Sequence, residues 1–285
     1  MGTRRELLDL LRGRGVRPRR SLGQHFLVDD RYLDRIVELG QLGPGDAVLE
    51  VGAGTGLLTR RLAASAGAVV AVELDGRLAD VLEEALVARH VRVVRGDAMA
   101  LDLAALFPPG LRRKVVANLP YGIASPLLVR LLQDVPGLER LVVTVQQEVA
   151  RRIVARPGSR DYGLLTLLVH LHADARLALR IPPGAFLPPP RVHSAVVVLT
   201  PHDRPGARDP GLLDRLLHAA FGQRRKQLRN AWGALAPRAA LERAARHSGL
   251  DLTRRGEELT LEEFCAFADA LARELADRSG HSDFA

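Results

Sequence analysis

Asn118-Leu119-Pro120-Tyr121 places an amide, an apolar residue, an imino acid and a phenol directly behind the apolar run Val115-Val116-Ala117. Small and branched apolar residues predict the buried end of a strand. That strand must stop at Pro120, which has no N–H and holds the residue before it extended. Carbonyls around Asn118 and Leu119 are then expected to face a cleft and not a neighbouring strand. An amide oxygen, a main-chain carbonyl and a ring in one place suit a flat, weakly nucleophilic amine: the oxygens accept its two N–H bonds while Tyr121 stacks on it. The same four residues also fit an ordinary strand and turn with a packed tyrosine, so their meaning depends on what converges with them.

Two further groups converge. Gly52, Gly54 and Gly56 lie between an apolar strand pattern over 47–51 and a helical pattern over 57–64. Glycines at such a turn let the backbone approach a ligand that any Cβ would block. A dinucleotide fingerprint wants its third glycine at position 57, which is leucine here. A second strand over 69–72 ends in Glu73, about twenty residues further on, where a carboxylate can accept both hydroxyls of a ribose; the alternative is an exposed acid opening the next helix. A third strand over 91–94 ends at Gly96-Asp97-Ala98, which brings Asp97 to the same edge. Taken alone, Asp97 would more often cap a helix.

The elements that must position these groups follow from periodicity. Leu78, Val81, Leu82, Ala85 and Leu86 predict a helix over 77–89 covering one face of a sheet. Further helices are expected over 125–132 and 146–155, and strands over 141–145, 177–181 and 195–199. Strands alternating with helices, with every candidate group at a strand's C-terminal edge, give an α/β, doubly wound, Rossmann-like sheet. From residue 201 the composition changes. A Pro/Gly-containing linker over 203–210 leads to a helix in which Leu212, Leu213, Leu216, Leu217, Ala220 and Phe221 share a face. A basic helix is expected over 223–235, with Leu228, Trp232 and Leu235 inward and Arg224, Arg225, Lys226 and Arg229 outward for phosphate contact. Arg151 and Arg152, beside Arg156 and Arg160, form a second basic cluster, read either as phosphate contacts or as a solvated helix end. The expected organisation is a basic arm over 1–20, opening with a short helix over 6–11, then an α/β domain over 21–202, and a linker with a small helical domain over 203–285.

A chain of 285 residues with 47% hydrophobic residues can bury a large core, and its formal charge of +8 favours a polyanionic partner. Seven arginines fall in the first twenty residues, whereas eight acids and two arginines follow from Glu257 onward. A basic face with an acidic tail suits docking on RNA. One cysteine, Cys265, excludes an intramolecular disulfide and a cysteine-rich zinc site, and no metal is expected. No apolar run is long enough to span a bilayer and the Arg-rich start lacks a signal-like apolar core, so a soluble cytoplasmic protein with no membrane partner is expected.

Asn118-Leu119-Pro120-Tyr121 resembles the signature of S-adenosylmethionine-dependent adenine-N6 methyltransferases acting on ribosomal RNA. Gly23-Gln24-His25-Phe26-Leu27, 50–56, 186–194 and Phe221-Gly222-Gln223-Arg224-Arg225-Lys226 match the same family in order, and the small-subunit dimethyltransferase branch most closely. The resemblance implies a class I methyltransferase sheet of seven strands, one of them antiparallel. It implies S-adenosyl-L-methionine held by His25, Leu27, Gly52, Gly54, Glu73, Leu74, Asp97, Ala98 and Asn118. Catalysis would fall to Asn118, Leu119, Pro120 and Tyr121. Phe186, in a proline-stiffened loop, is expected either to stack on a flipped adenine or to serve as a buried anchor. His25, Gly122 and Ala124 stand where the family more often has Asn, Asn and Ser or Thr. The implied activity is dimethylation of two adjacent adenines near the 3′ end of small-subunit rRNA, by a monomer acting on a partly assembled 30S subunit. Three rivals share parts of this pattern: a large-subunit rRNA adenine methyltransferase of macrolide-resistance type, a nicotinamide-dependent oxidoreductase, and an RNA-binding assembly factor without turnover.

Overall fold

The computed structural model describes residues 3–15, 18–19, 23–85, 90–204, 206–223 and 226–279. The chain divides into two compact units, 1–151 with 173–202, and 152–172 with 203–285.

The first unit opens with α1 (Thr3–Gly13), a two-residue strand β1 (Phe26–Leu27) and α2 (Asp30–Gly40). Strand and helix then alternate: β2 (Asp46–Val51), α3 (Leu57–Ala63), β3 (Ala68–Glu73), α4 (Gly76–Ala85), β4 (Val91–Arg95), β5 (Arg112–Asn118), α5 (Ala124–Asp134), β6 (Leu138–Gln146) and α6 (Gln147–Ile153). After α7 (Leu164–His170), the sheet is completed by β7 (Ala173–Ile181) and β9 (Ser194–Pro201), with β8 (Phe186–Leu187) between them. Seven strands lie in the order β4-β3-β2-β5-β6-β9-β7. All neighbours from β4 to β6 pair in parallel, whereas β9 runs antiparallel to both β6 and β7. This is the doubly wound sheet with one reversed strand that was expected. β2 is buried along its whole length, as a strand covered by helices on both faces must be.

The short helix expected over 6–11 is present and longer, and it packs on the core where an arm was expected. Residues 3–13 form a helix whose Leu7 and Leu11 are buried in the same apolar cluster as Leu33, Ile36 and Leu62. Thr3 hydrogen-bonds Asp30, and Arg14 pairs with Glu84. The helix is amphipathic, so its apolar face finds the core while its arginines stay outside. Arg17 and Arg20 lie outside the described residues.

The second unit contains α7, α8 (Pro210–Gly222), α9 (Leu228–Ala231), α10 (Arg238–Ser248) and α11 (Leu261–Ser279). Residues 152–172 belong to it, which corrects the expected unbroken domain over 21–202. Their apolar side chains Ala155, Tyr162 and Leu167 are buried with Leu216, Trp232 and Phe264, and the Tyr162 hydroxyl donates to the Leu259 carbonyl at 2.6 Å. Trp232 is the anchor: it is fully buried, stacks on Phe267 at 4.4 Å between centroids, and donates its indole N–H to the Leu216 carbonyl at 3.0 Å. Among the described residues no helix is long and apolar enough to cross a membrane, and no cluster of potential metal ligands occurs.

Candidate active site

Because β2, β3, β4 and β5 are parallel, Val51, Glu73, Arg95 and Asn118 all end at one edge of the sheet. Strand order reverses between β2 and β5, and at this switch point the loops diverge and open a crevice. A cavity of about 440 Å³ lies there.

One wall is the glycine turn. Gly52 and Gly54 have φ of +75° and +59°, in the left-handed region. A Cβ on Gly54 would stand 2.9 Å from the Phe26 ring, so glycine is required by both conformation and space. Glu73 is 6% exposed, and its two oxygens accept N–H bonds from Gly54 at 2.8 Å and Asp75 at 2.9 Å. Burial pushes its carboxyl above the ordinary range, against those two bonds. Each oxygen keeps a second lone pair for a ligand hydroxyl. Glu73 therefore also braces the glycine turn, a role that its position in the sequence did not reveal.

The outer wall follows β4. Asp97 is exposed, and its Oδ1 accepts the Met99 N–H at 2.8 Å, so it does cap a turn while leaving Oδ2 for a ligand. Leu74, 55% exposed, and buried Ala98 line the cavity beside it.

The third wall is Asn118-Leu119-Pro120-Tyr121. Asn118 Nδ2–H donates to the His25 carbonyl at 3.1 Å, while Asn118 Oδ1 is buried with no protein partner. The Pro120 carbonyl accepts the Ile123 N–H at 3.1 Å, and no main-chain N–H among the described residues donates to the Leu119 carbonyl. Leu119 O is thus the better main-chain acceptor of the two. Tyr121 is held by its hydroxyl, 2.6 Å from Ser194 Oγ, and by its ring, stacked on His25 at 5.6 Å. Burial raises its phenol pKa, so it stays protonated.

The segment 23–26 closes the cavity. β1 pairs antiparallel with β8, Phe26 opposite Leu187 and Leu27 opposite Phe186. The His25 Nδ1 lies 2.8 Å from the Pro188 carbonyl, which can only accept, so Nδ1 carries the proton. Gln24 donates to Asp75 at 3.3 Å, tying the segment to the loop behind Glu73. Gln24 and Ser194 were not expected at the site, although both stand inside stretches matched to the family.

Of the residues expected at the site, His25, Gly52, Gly54, Glu73, Leu74, Asp97, Ala98, Asn118, Leu119, Pro120 and Tyr121 line the cavity. Leu27 and Phe186 do not. Leu27 is 4% exposed and Phe186 has no exposed surface, both packed in the apolar cluster of the first unit. Of the two expectations for Phe186, the structure has the anchor: its ring holds the β1–β8 ribbon to the core. Arg151 and Arg152 are exposed on α6, and neither is among the residues that line the cavity. Arg224 and Arg225 lie outside the described residues. The continuous basic helix over 223–235 is corrected: α8 ends at Gly222, Lys226 sits in a turn closed by its N–H to the Gln223 carbonyl at 2.8 Å, and Arg229 lies on the four-residue α9. Leu228 and Arg229 give their N–H groups to the carbonyls of Arg254 and Leu252, which fixes α9 separately from α8. Lys226 and Arg229 remain exposed.

S-adenosylmethionine suits these residues: a glycine turn where Cβ atoms are excluded, a buried carboxylate with spare lone pairs, and an unpaired amide acceptor beside a ring. Sheet and site together define a class I, S-adenosylmethionine-type methyltransferase. Residues 15–273 match the family model described as ribosomal RNA adenine dimethylase, and the chain belongs to that family. It is 41% identical over 276 residues to "Ribosomal RNA small subunit methyltransferase A" of Moorella thermoacetica, covering 93% of this chain and 96% of that one. It is 43% identical over 267 residues to the protein of the same name from Gluconobacter oxydans, covering 92% and 86%. Among solved structures, a dimethyladenosine transferase from Plasmodium falciparum superposes with a TM-score of 0.76 at 25% identity, covering 88% of this chain and 98% of that one. The 23S rRNA methyltransferase ErmE superposes with a TM-score of 0.65 at 28% identity, covering 87% and 99%.

Proposed function

We propose that this chain transfers methyl groups from S-adenosylmethionine to N6 of two adjacent adenines in a loop near the 3′ end of 16S small-subunit rRNA, acting on a partly assembled subunit. The observation that carries the reading is the placement of Asn118-Leu119-Pro120-Tyr121 in one cavity with the glycine turn, Glu73 and Asp97. Relatives named as small-subunit methyltransferases, over nearly the whole length of both chains, support the choice of subunit.

When bound, the cofactor supplies an electrophilic methyl group on a sulfonium centre. Glu73 would accept its ribose hydroxyls, Asp97 would accept from its adenine amine, and Leu74 and Ala98 would flank the ring. Asn118 has the more demanding task. Adenine N6 is a poor nucleophile because its lone pair is delocalised into the ring. With Asn118 Oδ1 and Leu119 O accepting its N–H bonds, N6 would be favoured in the pyramidal form with a localised lone pair, and these acceptors would strengthen as positive charge develops on nitrogen. Tyr121, locked by Ser194, offers its face to the extruded base. The methylated ammonium is acidic and loses its proton to water, so no strong base is needed.

Unmethylated small and large subunits incubated with labelled S-adenosylmethionine, followed by mapping of the label, test the reading. Label on neighbouring adenines near the 3′ end of small-subunit rRNA is expected. Label confined to large-subunit rRNA would move the chain to the branch represented by ErmE, and label on neither would leave an RNA-binding factor. Asn118→Ala should lower single-turnover methylation by about two to three orders of magnitude with both ligands saturating.

A further inference from the structure

Arg130 lies on α5, the helix that begins just behind Asn118-Leu119-Pro120-Tyr121, and it reaches to the loop behind β4. Its Nη1–H donates to the Ala98 carbonyl at 2.9 Å and its Nη2–H to the Leu101 carbonyl at 2.8 Å. Its Nε–H donates to Asp134 Oδ2, one turn further along α5, at 2.8 Å, which fixes the plane of the guanidinium. Three donors of one rigid fork are therefore committed, two of them to main-chain carbonyls of one loop.

Besides the packing of buried Ala98 and Leu103, few other hydrogen bonds among the described residues place the loop it grips. β4 is an edge strand, so nothing in the sheet flanks the loop on its outer side. Inside the loop, Asp97 Oδ1 accepts from Met99 and the Asp97 carbonyl accepts from Ala100 and Leu101, bonds that shape the turn without placing it. Gly96 N–H, bonded to the Glu73 carbonyl at 3.0 Å, anchors only its start. Asp97 and Ala98 wall the cavity on one side, and 118–123 wall it on the other.

We propose that Arg130 is a positioning residue for cofactor binding: a strut between the two walls of the cleft that places the Asp97 carboxylate and the Ala98 face against the adenine of the cofactor. The proposal rests on the cofactor reading above. Lysine would not replace it, because a single ammonium on a flexible stem does not present two parallel donors to carbonyls three residues apart.

Titration calorimetry of the full chain with S-adenosylhomocysteine, which binds without turnover, tests it. Arg130→Ala and Arg130→Lys should each weaken binding, the alanine variant by about tenfold, as should Asp97→Ala. Because Arg130 acts through the loop, the double variant Arg130→Ala/Asp97→Ala should bind no more than about threefold more weakly than Asp97→Ala alone. A merely structural arginine would lower the midpoint of thermal unfolding and leave the two effects on affinity additive; additive losses overturn the proposal. So does unchanged affinity in Arg130→Lys, the variant to rely on should Arg130→Ala not fold. Glu73→Ala separates the failures: if it weakens binding while the Arg130 variants do not, the strut is wrong and the cofactor site stands. If Glu73→Ala and Asp97→Ala also bind normally, the cofactor site itself falls, and the strut with it.

Discussion

Tyr121 is held by two different forces, a hydroxyl contact with Ser194 and a stacked ring on His25. Ser194 has no exposed surface, so removing the Tyr121 hydroxyl strands a buried one, and removing Ser194 frees the half-buried tyrosine. Tyr121→Phe and Ser194→Ala should each lower the methylation rate by roughly tenfold, and the double variant by little more than either alone, since both remove the same bond. Single-turnover rates of the four proteins check this; multiplying losses would mean that the bond does not act as a unit. Glu50 behaves differently. It is 2% exposed on β2, and burial pushes its carboxyl up to about 8 from an ordinary 4.5, with neighbouring Glu73 adding to the rise. A raised folded-state pKa means that the folded chain holds a proton which the unfolded chain releases. The stability it contributes is full below about 4.5 and is lost as pH rises through about 8. Glu50→Gln keeps the shape without the titration, so its unfolding midpoint should fall less than the wild type's between those pH values. Parallel pH profiles for the two proteins would remove Glu50 as the cause.

At the scale of the element, the cavity depends on a two-residue ribbon and a glycine turn pressed together. β1 is held by β8, and the Phe26 ring lies 2.9 Å from where the Gly54 Cβ would be. Gly54→Ala adds a left-handed backbone penalty to a steric one, and should cost about 1–3 kcal/mol of stability while weakening cofactor binding. Gly122 supplies the contrast, for it has ordinary φ and open space around its would-be Cβ. Gly122→Ala should leave the unfolding midpoint within about a degree or two of wild type. Thermal unfolding and calorimetry of both variants test the pair; equal behaviour would mean that the turn tolerates a side chain after all.

At the scale of the molecule, a formal charge of +8 should make the proposed RNA affinity salt-dependent, and the question is which cations carry it. Lys226 and Arg229 are exposed in the second unit, in a turn and on a separate short helix. Replacing both with alanine should flatten the slope of log affinity against log salt by about one unit per lost phosphate contact. Cofactor affinity should not change. An unaltered slope would make them a solvated surface.

Much of this was legible in the amino-acid sequence because it is local. Strands over 47–51, 69–72 and 91–94 are short apolar runs closed by glycine or a carboxylate, and each side chain's place at a strand end follows from where the run stops. The glycine turn, Glu73, Asp97 and Asn118-Leu119-Pro120-Tyr121 were found that way, and parallel pairing then brought them to one edge. What local pattern could not decide was burial and partnership between distant segments. Phe186 in a stiff loop reads equally as platform or anchor, and only its pairing with Leu27 and its packing in the core made it an anchor. Residues 223–235 have a helical apolar spacing, yet the bonds from Leu228 and Arg229 to a segment about 25 residues later split the helix. Arg130 carries no signal of its own, and Ser194 only its place in a stretch matched to the family: an arginine on a helix and a serine before a strand acquire a role only when tertiary contacts deliver the Ala98 and Leu101 carbonyls to one and the Tyr121 hydroxyl to the other. Periodicity reports which face of an element avoids water, whereas a hydrogen bond also requires the position of its partner, and that position is set by the packed chain.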